Sequence, residues 1–303
     1  MRAARRPRLT RTVPRAGVAI AVLTLATACG GAPDGTPSST TTTATPPSMT
    51  SSPPSTTPST SSATPSPTTS PSPAPTPSAA SPTATALPAW LLGQDVRLVP
   101  TTHRIVVLTF DGGGNADGLA RILATLDAKH VPGTFFLTGR WVQAYPEGAR
   151  RIVAAGHVVG NHTMTHPHST QLTDAALTTE VLRAAQVITS TTRVSPKPWF
   201  RFPYGERTSA DIRLLNGLGY ACVSWGVDTL GWLGTSRGTA DDVRQRVLAA
   251  LEPGLIVLMH LGSNPDDGTT YDADALASVI DAVRARGYSF ATVTELLTAG
   301  PPR

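Results

Sequence analysis

Residues 105–115, IVVLTFDGGGN, run from an uncharged, largely β-branched stretch straight into an acid, Asp111, and three consecutive glycines. Such a stretch reads as a strand buried on both faces. A carboxylate at its C-terminal end, on a turn without side chains, faces an open cavity, and in parallel α/β folds that end is where ligands bind. An acid that merely caps a following turn of helix explains the isolated segment equally well. The other chemistry-bearing residues decide between the two. His162 and His166, in NHTMTHPH, stand four apart. One turn of helix would put both imidazoles on one side, and neutral imidazoles so paired suit Zn²⁺ or a similar divalent ion. His168 breaks that spacing and reads as a surface residue. In FRFPYG, Arg201 closes a strand just before Pro203 and Tyr204, where a guanidinium can orient a carboxylate through a bidentate contact. WGVDTLGW sets Asp228 between Trp225 and Trp232, a rim on which sugars stack or an aromatic cluster closing a barrel end. LMH puts His260, after Leu258, at the end of a second fully apolar strand, the place Asp111 holds on the first.

The elements that must position these side chains follow from hydrophobic periodicity. Apolar runs predict strands at 105–110, 133–139, 158–160, 199–202, 220–223, 255–259 and 289–292. Between them, spacing of three and four predicts helices at 116–129, 173–190, 210–218, 239–250 and 272–286, with another ending near 155. Thr173 reads as a helix cap, and Thr239 with Asp242 as a capping box. Strands alternating with helices argue for one α/β domain with a mostly parallel sheet; periodicity does not choose between an open sheet and a closed barrel.

Taken in order, TFDGG, HTMTHP, RFPY, DTLGW and LMH resemble the five motifs of the NodB-homology polysaccharide deacetylases, carbohydrate esterase family four: TFDDG, H-S/T-x-x-H-P, R-x-P-Y, D-x-x-D-W and L-x-H. The resemblance spans about residues 105–297, including the closing GYSFATVTELL. It implies a distorted (β/α) barrel of about seven parallel strands with the groove at the strand C-termini. It also implies metal-assisted hydrolysis of an acetyl group on a sugar, most suitably an N-acetylated cell-envelope polysaccharide such as peptidoglycan. Asp111 would be the general base, His162 and His166 ligands of a divalent metal such as Zn²⁺, and Arg201 the group that keeps Asp111 ionised. The backbone N–H near Tyr204 would stabilise the oxyanion, and His260 would protonate the departing amine. Leu258 would line the acetyl pocket, with Trp225 and Trp232 contacting substrate. An amide is a poor electrophile with a poor leaving group, so these opposed proton-transfer roles suit the reaction.

Two positions depart from the family pattern. Its second motif-one aspartate, a metal ligand, is Gly112 here, and the aspartate before the motif-four tryptophan is Gly231. Asp111, Asn115 or Asp117 would supply the missing ligand, Asp111 by its reach, and Asp228 would take over support of His260. The competing reading is a catalytically weak or inactive wall-glycan-binding module of the same fold.

The remaining sequence concerns placement rather than chemistry. Of 25 basic residues, six are arginines within the first fifteen, leaving 19 against 20 acids, so the basic pI gives no ground for a nucleic-acid partner. Residues 1–28 read as a signal peptide: a basic stretch, then an apolar run too short to span a bilayer. ATAC before and at Cys29 resembles a lipobox, implying a lipid anchor; release as a secreted protein is the alternative. Residues 29–88, almost all Ser, Thr, Pro and Ala, would form an extended, unfolded stalk open to O-glycosylation. Residues 89–303 would be the deacetylase domain, a monomer held at the outer face of a bacterial membrane or secreted, and associated with the wall. Cys222, in the apolar YACVSW, reads as a buried thiol.

Overall fold

The computed structural model describes residues 86–301. The expected leader, the anchor at Cys29 and the Ser/Thr/Pro segment up to residue 85 lie outside the described residues. The strands are β1 (Asp95–Val96), β2 (Ile105–Gly112), β3 (Thr134–Leu137), β4 (Val158–Asn161), β5 (Trp199–Phe200), β6 (Ala221–Val223), β7 (Val227–Asp228), β8 (Leu255–His260) and β9 (Ser289–Ala291). The helices are α1 (Leu119–Ala128), α2 (Gly139–Ala144), α3 (Pro146–Ala154), α4 (Asp174–Thr192), α5 (Ser209–Gly217), α6 (Ala240–Ala249) and α7 (Tyr271–Arg284).

Among the described residues, all nine strands belong to one sheet in the order β1-β6-β5-β4-β3-β2-β8-β7, with β9 added to β2. Every strand pairing is parallel. The end strands β1 and β7 do not pair with each other, so the sheet is an incompletely closed barrel. The two strands beyond the expected seven, β1 and β7, have two residues each, too short for a periodic signal.

Alternation along the strands sorts the side chains. Val106, Leu108 and Phe110 of β2 and Leu255, Val257 and Met259 of β8 face the helices, packing with Ile122, Leu126, Leu276 and Ile280. Val107 and Ile256, one residue out of phase, lie inside the curl with Phe136, Trp199 and Val223. A fully buried side chain of this kind contributes about 1.5–3 kcal/mol. Gly160 belongs to the crowded interior: a Cβ there would stand 2.6 Å from the Phe136 ring.

The helix starts follow the side-chain chemistry seen in the sequence. The Thr173 hydroxyl accepts the Ala176 N–H at the head of α4, and Thr239 with Asp242 forms a capping box on α6.

Candidate active site

The same parity carries the chemistry. Asp111 on β2 and His260 on β8 are register partners, as are Thr109 and Leu258. Asp111, Leu258 and His260 therefore project inward where the apolar interior layers end. Arg201, two residues beyond Trp199, is inward by the same count, as is His162 after Gly160. A cavity of about 440 Å³ opens at this end, lined by Asp111, His162, His166, Tyr204, Trp225, Asp228, Trp232, Leu258 and His260, together with residues 113–115, 262, 263 and 265. Side chains spread over 150 residues of sequence thus meet in one place. Arg201 lies behind Asp111.

Arg201 is wholly buried and Asp111 is 7% exposed. Nη1 of Arg201 donates to Oδ1 of Asp111 at 2.7 Å. The contact is single, not the bidentate one expected, because Nε donates to the Val223 carbonyl at 3.1 Å and Nη2 to that of Ser224 at 2.9 Å. The guanidinium also lies over the Phe136 ring, 4.1 Å from its centroid. Burial opposes ionisation of Asp111, but the Arg201 guanidinium foremost, with His260, outweighs it and holds the carboxyl below the usual range.

The two histidines do not share a helix. After β4 the chain turns through left-handed residues at Thr163 (φ 69°) and His166 (φ 62°). Asn161 Oδ1 accepts the Thr163 N–H at 2.9 Å, and the Thr163 hydroxyl accepts the His166 N–H at 3.1 Å. These local bonds, rather than helical spacing, bring the rings within 4.8 Å between centroids. The Arg201 carbonyl, 2.8 Å from Nδ1 of His162, can only accept, so Nδ1 carries the proton. Nε2 then presents its lone pair 3.4 Å from Oδ2 of Asp111. Burial holds both imidazoles neutral, with the His166 pKa pushed down to about 4.

Two neutral ring nitrogens beside a carboxylate suit a divalent ion in donor type. Among the described residues, however, no three His, Cys, Asp or Glu side chains are grouped to hold one. The strand continues through residue 112, and a Cβ there would point away from the cavity to meet Leu137 Cδ2 at 2.8 Å and Leu261 Cδ1 at 3.0 Å. At Gly113 a Cβ would stand 3.6 Å from His166 Cδ2, at ordinary contact distance. Asn115 and Asp117 are committed elsewhere. Asn115 Oδ1 accepts the Ser263 N–H at 2.7 Å, and Asp117 Oδ2 accepts the Ser263 hydroxyl at 2.6 Å.

Around the rim, Tyr204 adopts φ 57°, and its ring stacks on His168, centroids 4.2 Å apart. His168 is exposed, as expected of a surface residue, and its Nδ1 is 2.9 Å from Glu206 Oε2. Asp228 accepts the Leu230 N–H at 2.8 Å and the Trp232 indole N–H at 3.4 Å, which fixes the indole beside His260. The carboxylate that reaches His260 is that of Asp272, at the start of α7. Its Oδ2 accepts the His260 backbone N–H at 2.9 Å and lies 3.6 Å from Nδ1. Support of His260 thus comes from Asp272, not from Asp228 as expected. Partial burial would lower the His260 pKa, but the carboxylates of Asp272, Asp111 and Asp228 more than offset this and raise it. In the sequence, Asp272 carries only the signal of an acid in a first helical turn.

A parallel half-barrel with an acid, two histidines, a buried arginine and a further histidine at its strand ends defines a hydrolase-like α/β architecture. The polysaccharide deacetylase family profile matches residues 99–223. The chain is 38% identical over 201 residues to the chitooligosaccharide deacetylase of Bradyrhizobium sp., covering 64% of this chain and 90% of that one. It is 30% identical over 204 residues to the peptidoglycan-N-acetylglucosamine deacetylase of Bacillus cereus, covering 67% and 72%. A solved pseudoenzyme of carbohydrate esterase family 4 from Bacillus anthracis superposes with a TM-score of 0.59 at 32% identity, covering 65% and 66%. The chain belongs to the polysaccharide deacetylase family.

Proposed function

We propose that this protein hydrolyses the N-acetyl group of amino sugars in a cell-envelope polysaccharide, with peptidoglycan the leading substrate. The observation that carries the reading is the placement of Asp111 and His260 as register partners on adjacent inward-facing strand ends. Neighbouring strands lie about 4.8 Å apart, so an ionised carboxylate and a proton-bearing imidazole flank the same small space.

Asp111, kept ionised by Arg201, takes a proton from the attacking water as its oxygen bonds to the acetyl carbon. The carbonyl electrons move onto oxygen. The Tyr204 backbone N–H would donate to that oxyanion. The C–N bond then breaks as His260 gives its proton to the amine nitrogen, releasing acetate and a free amino sugar. Leu258 offers an apolar wall for the acetyl methyl, and Trp225 and Trp232 offer ring faces to the sugar. His162 and His166 would hold a divalent ion such as Zn²⁺, which when bound would polarise the acyl oxygen and acidify the water.

The leader supports a location outside the bacterial membrane, by a lipid on Cys29 or by secretion, with residues 29–88 as a spacer and 89–303 as a monomeric deacetylase domain. The two-donor metal seat and the likeness to a pseudoenzyme favour a second reading, a glycan-binding module without turnover. Acetate release from peptidoglycan and from chitin oligosaccharides, with and without a chelator, decides between them. Release that is abolished by Asp111→Asn supports hydrolysis; glycan binding with no release supports the module.

A further inference from the structure

Position 231 has no side chain, yet the space beside it is filled. A Cβ built on Gly231 would overlap Oδ1 of Asp272, and its three nearest neighbours are all atoms of Asp272. That aspartate is 3% exposed and comes from a different element, the first turn of α7. Its Oδ1 accepts the Thr229 hydroxyl at 2.6 Å, while Oδ2 accepts the backbone N–H of His260. Nδ1 of His260 is buried and has no hydrogen-bond partner among the described residues. The nearest acidic oxygen is Asp272 Oδ2 at 3.6 Å, a few tenths of an ångström beyond a hydrogen bond.

Resting on the deacetylase reading, we propose that Asp272 is the positioning residue for His260. Its carboxylate occupies the place where a residue-231 side chain would project, orients the imidazole through Nδ1, and leaves Nε2 to face the cavity. A carboxylate on one ring nitrogen fixes the tautomer at the other. The other titratable groups that face His260 are Asp111, Asp228, His162 and His166.

The test uses Asp272→Asn, Asp272→Ala and the double variant Asp272→Ala/Gly231→Asp in the full-length protein. Asp272→Asn keeps an acceptor for the His260 N–H but removes the charge. It is expected to lower kcat for acetate release roughly tenfold or more, with KM and the thermal midpoint little changed. Asp272→Ala is expected to lose more, and the double variant to regain part of the loss, because the vacated space admits the residue-231 carboxylate. Wild-type kcat in Asp272→Asn, or no recovery in the double variant, overturns the proposal. Should the wild-type protein release no acetate, the deacetylase reading fails separately. The placement is then read from the His260 imidazole resonances by NMR, expected to titrate at higher pH in wild type than in Asp272→Asn. Identical titration overturns it.

Discussion

Nε2 of His162 stands 3.4 Å from Oδ2 of Asp111 while its Nδ1 is engaged by the carbonyl of Arg201. Two lone-pair-bearing atoms therefore face each other across a gap, an arrangement that a shared cation satisfies and that a proton on His162 would also satisfy.

The Asp111–Arg201 pair is sealed from solvent, so removing one partner strands the other charge. Asp111→Ala is expected to destabilise the protein by about 3–5 kcal/mol. Arg201→Ala should cost a comparable amount, and the double variant clearly less than the sum. Urea unfolding of the four proteins as a double-mutant cycle measures the coupling, and additivity would refute it.

Metal-free protein should lose stability as it is acidified. Burial, with a smaller push from His162, brings His166 down from 6.5 to about 4. Between those values the unfolded chain binds the proton and the folded chain does not, so stability rises with pH there. The gain from pH 4 to 6.5 is at most about 3 kcal/mol for His166, and His162 acts in the same direction. His260, raised instead, contributes stability below 6.5 that is lost as pH climbs through its higher folded value. Chemical denaturation across pH 4–8 reads both limbs, and His166→Asn should flatten the acid one.

Restoring a third donor depends on which glycine is changed. Gly113→Asp should tighten Zn²⁺ binding roughly tenfold, about 1.4 kcal/mol, since its side chain would lie beside His166. Gly112→Asp should instead push a carboxylate against Leu137 and Leu261 and cost several kcal/mol of stability. Calorimetric titration of metal into each variant, with thermal melts, checks the pair. Tighter binding in Gly112→Asp would reverse the assignment.

Asn115 staples the loop after His260 to the turn after Asp111, accepting from Ser263 N–H at 2.7 Å and donating to its hydroxyl at 3.0 Å. Asn115→Ala should cost about 1–3 kcal/mol and raise KM more than it lowers kcat. Steady-state kinetics beside a melting curve would show this; an unchanged KM would remove the loop from substrate binding.

Much of the site is legible in the sequence because strand ends announce themselves. Asp111 and His260 each end an uninterrupted apolar run, and Arg201 falls two residues after Trp199 in a strand of the same sheet. Period-two alternation then dictates that these side chains share a face. The histidine pair is legible only in part, since four-residue spacing suggests a helix where two left-handed residues and side-chain bonds from Asn161 and Thr163 build a turn. Asp272 is not legible as part of the site. Its partners Thr229, Gly231 and His260 lie on other elements, and at the head of an amphipathic helix an acid has a sufficient local explanation. The direction of Gly112 was hidden for a related reason: how far a strand persists past its last apolar residue depends on its neighbours, here β3 and β8.

Arg201 spends its charge inward, and no lysine or arginine is among the residues lining the cavity mouth, whereas Asp111 and Asp228 are. With its charge matched from behind by Arg201, Asp111 presents a reacting carboxylate to the cavity without adding net charge to it.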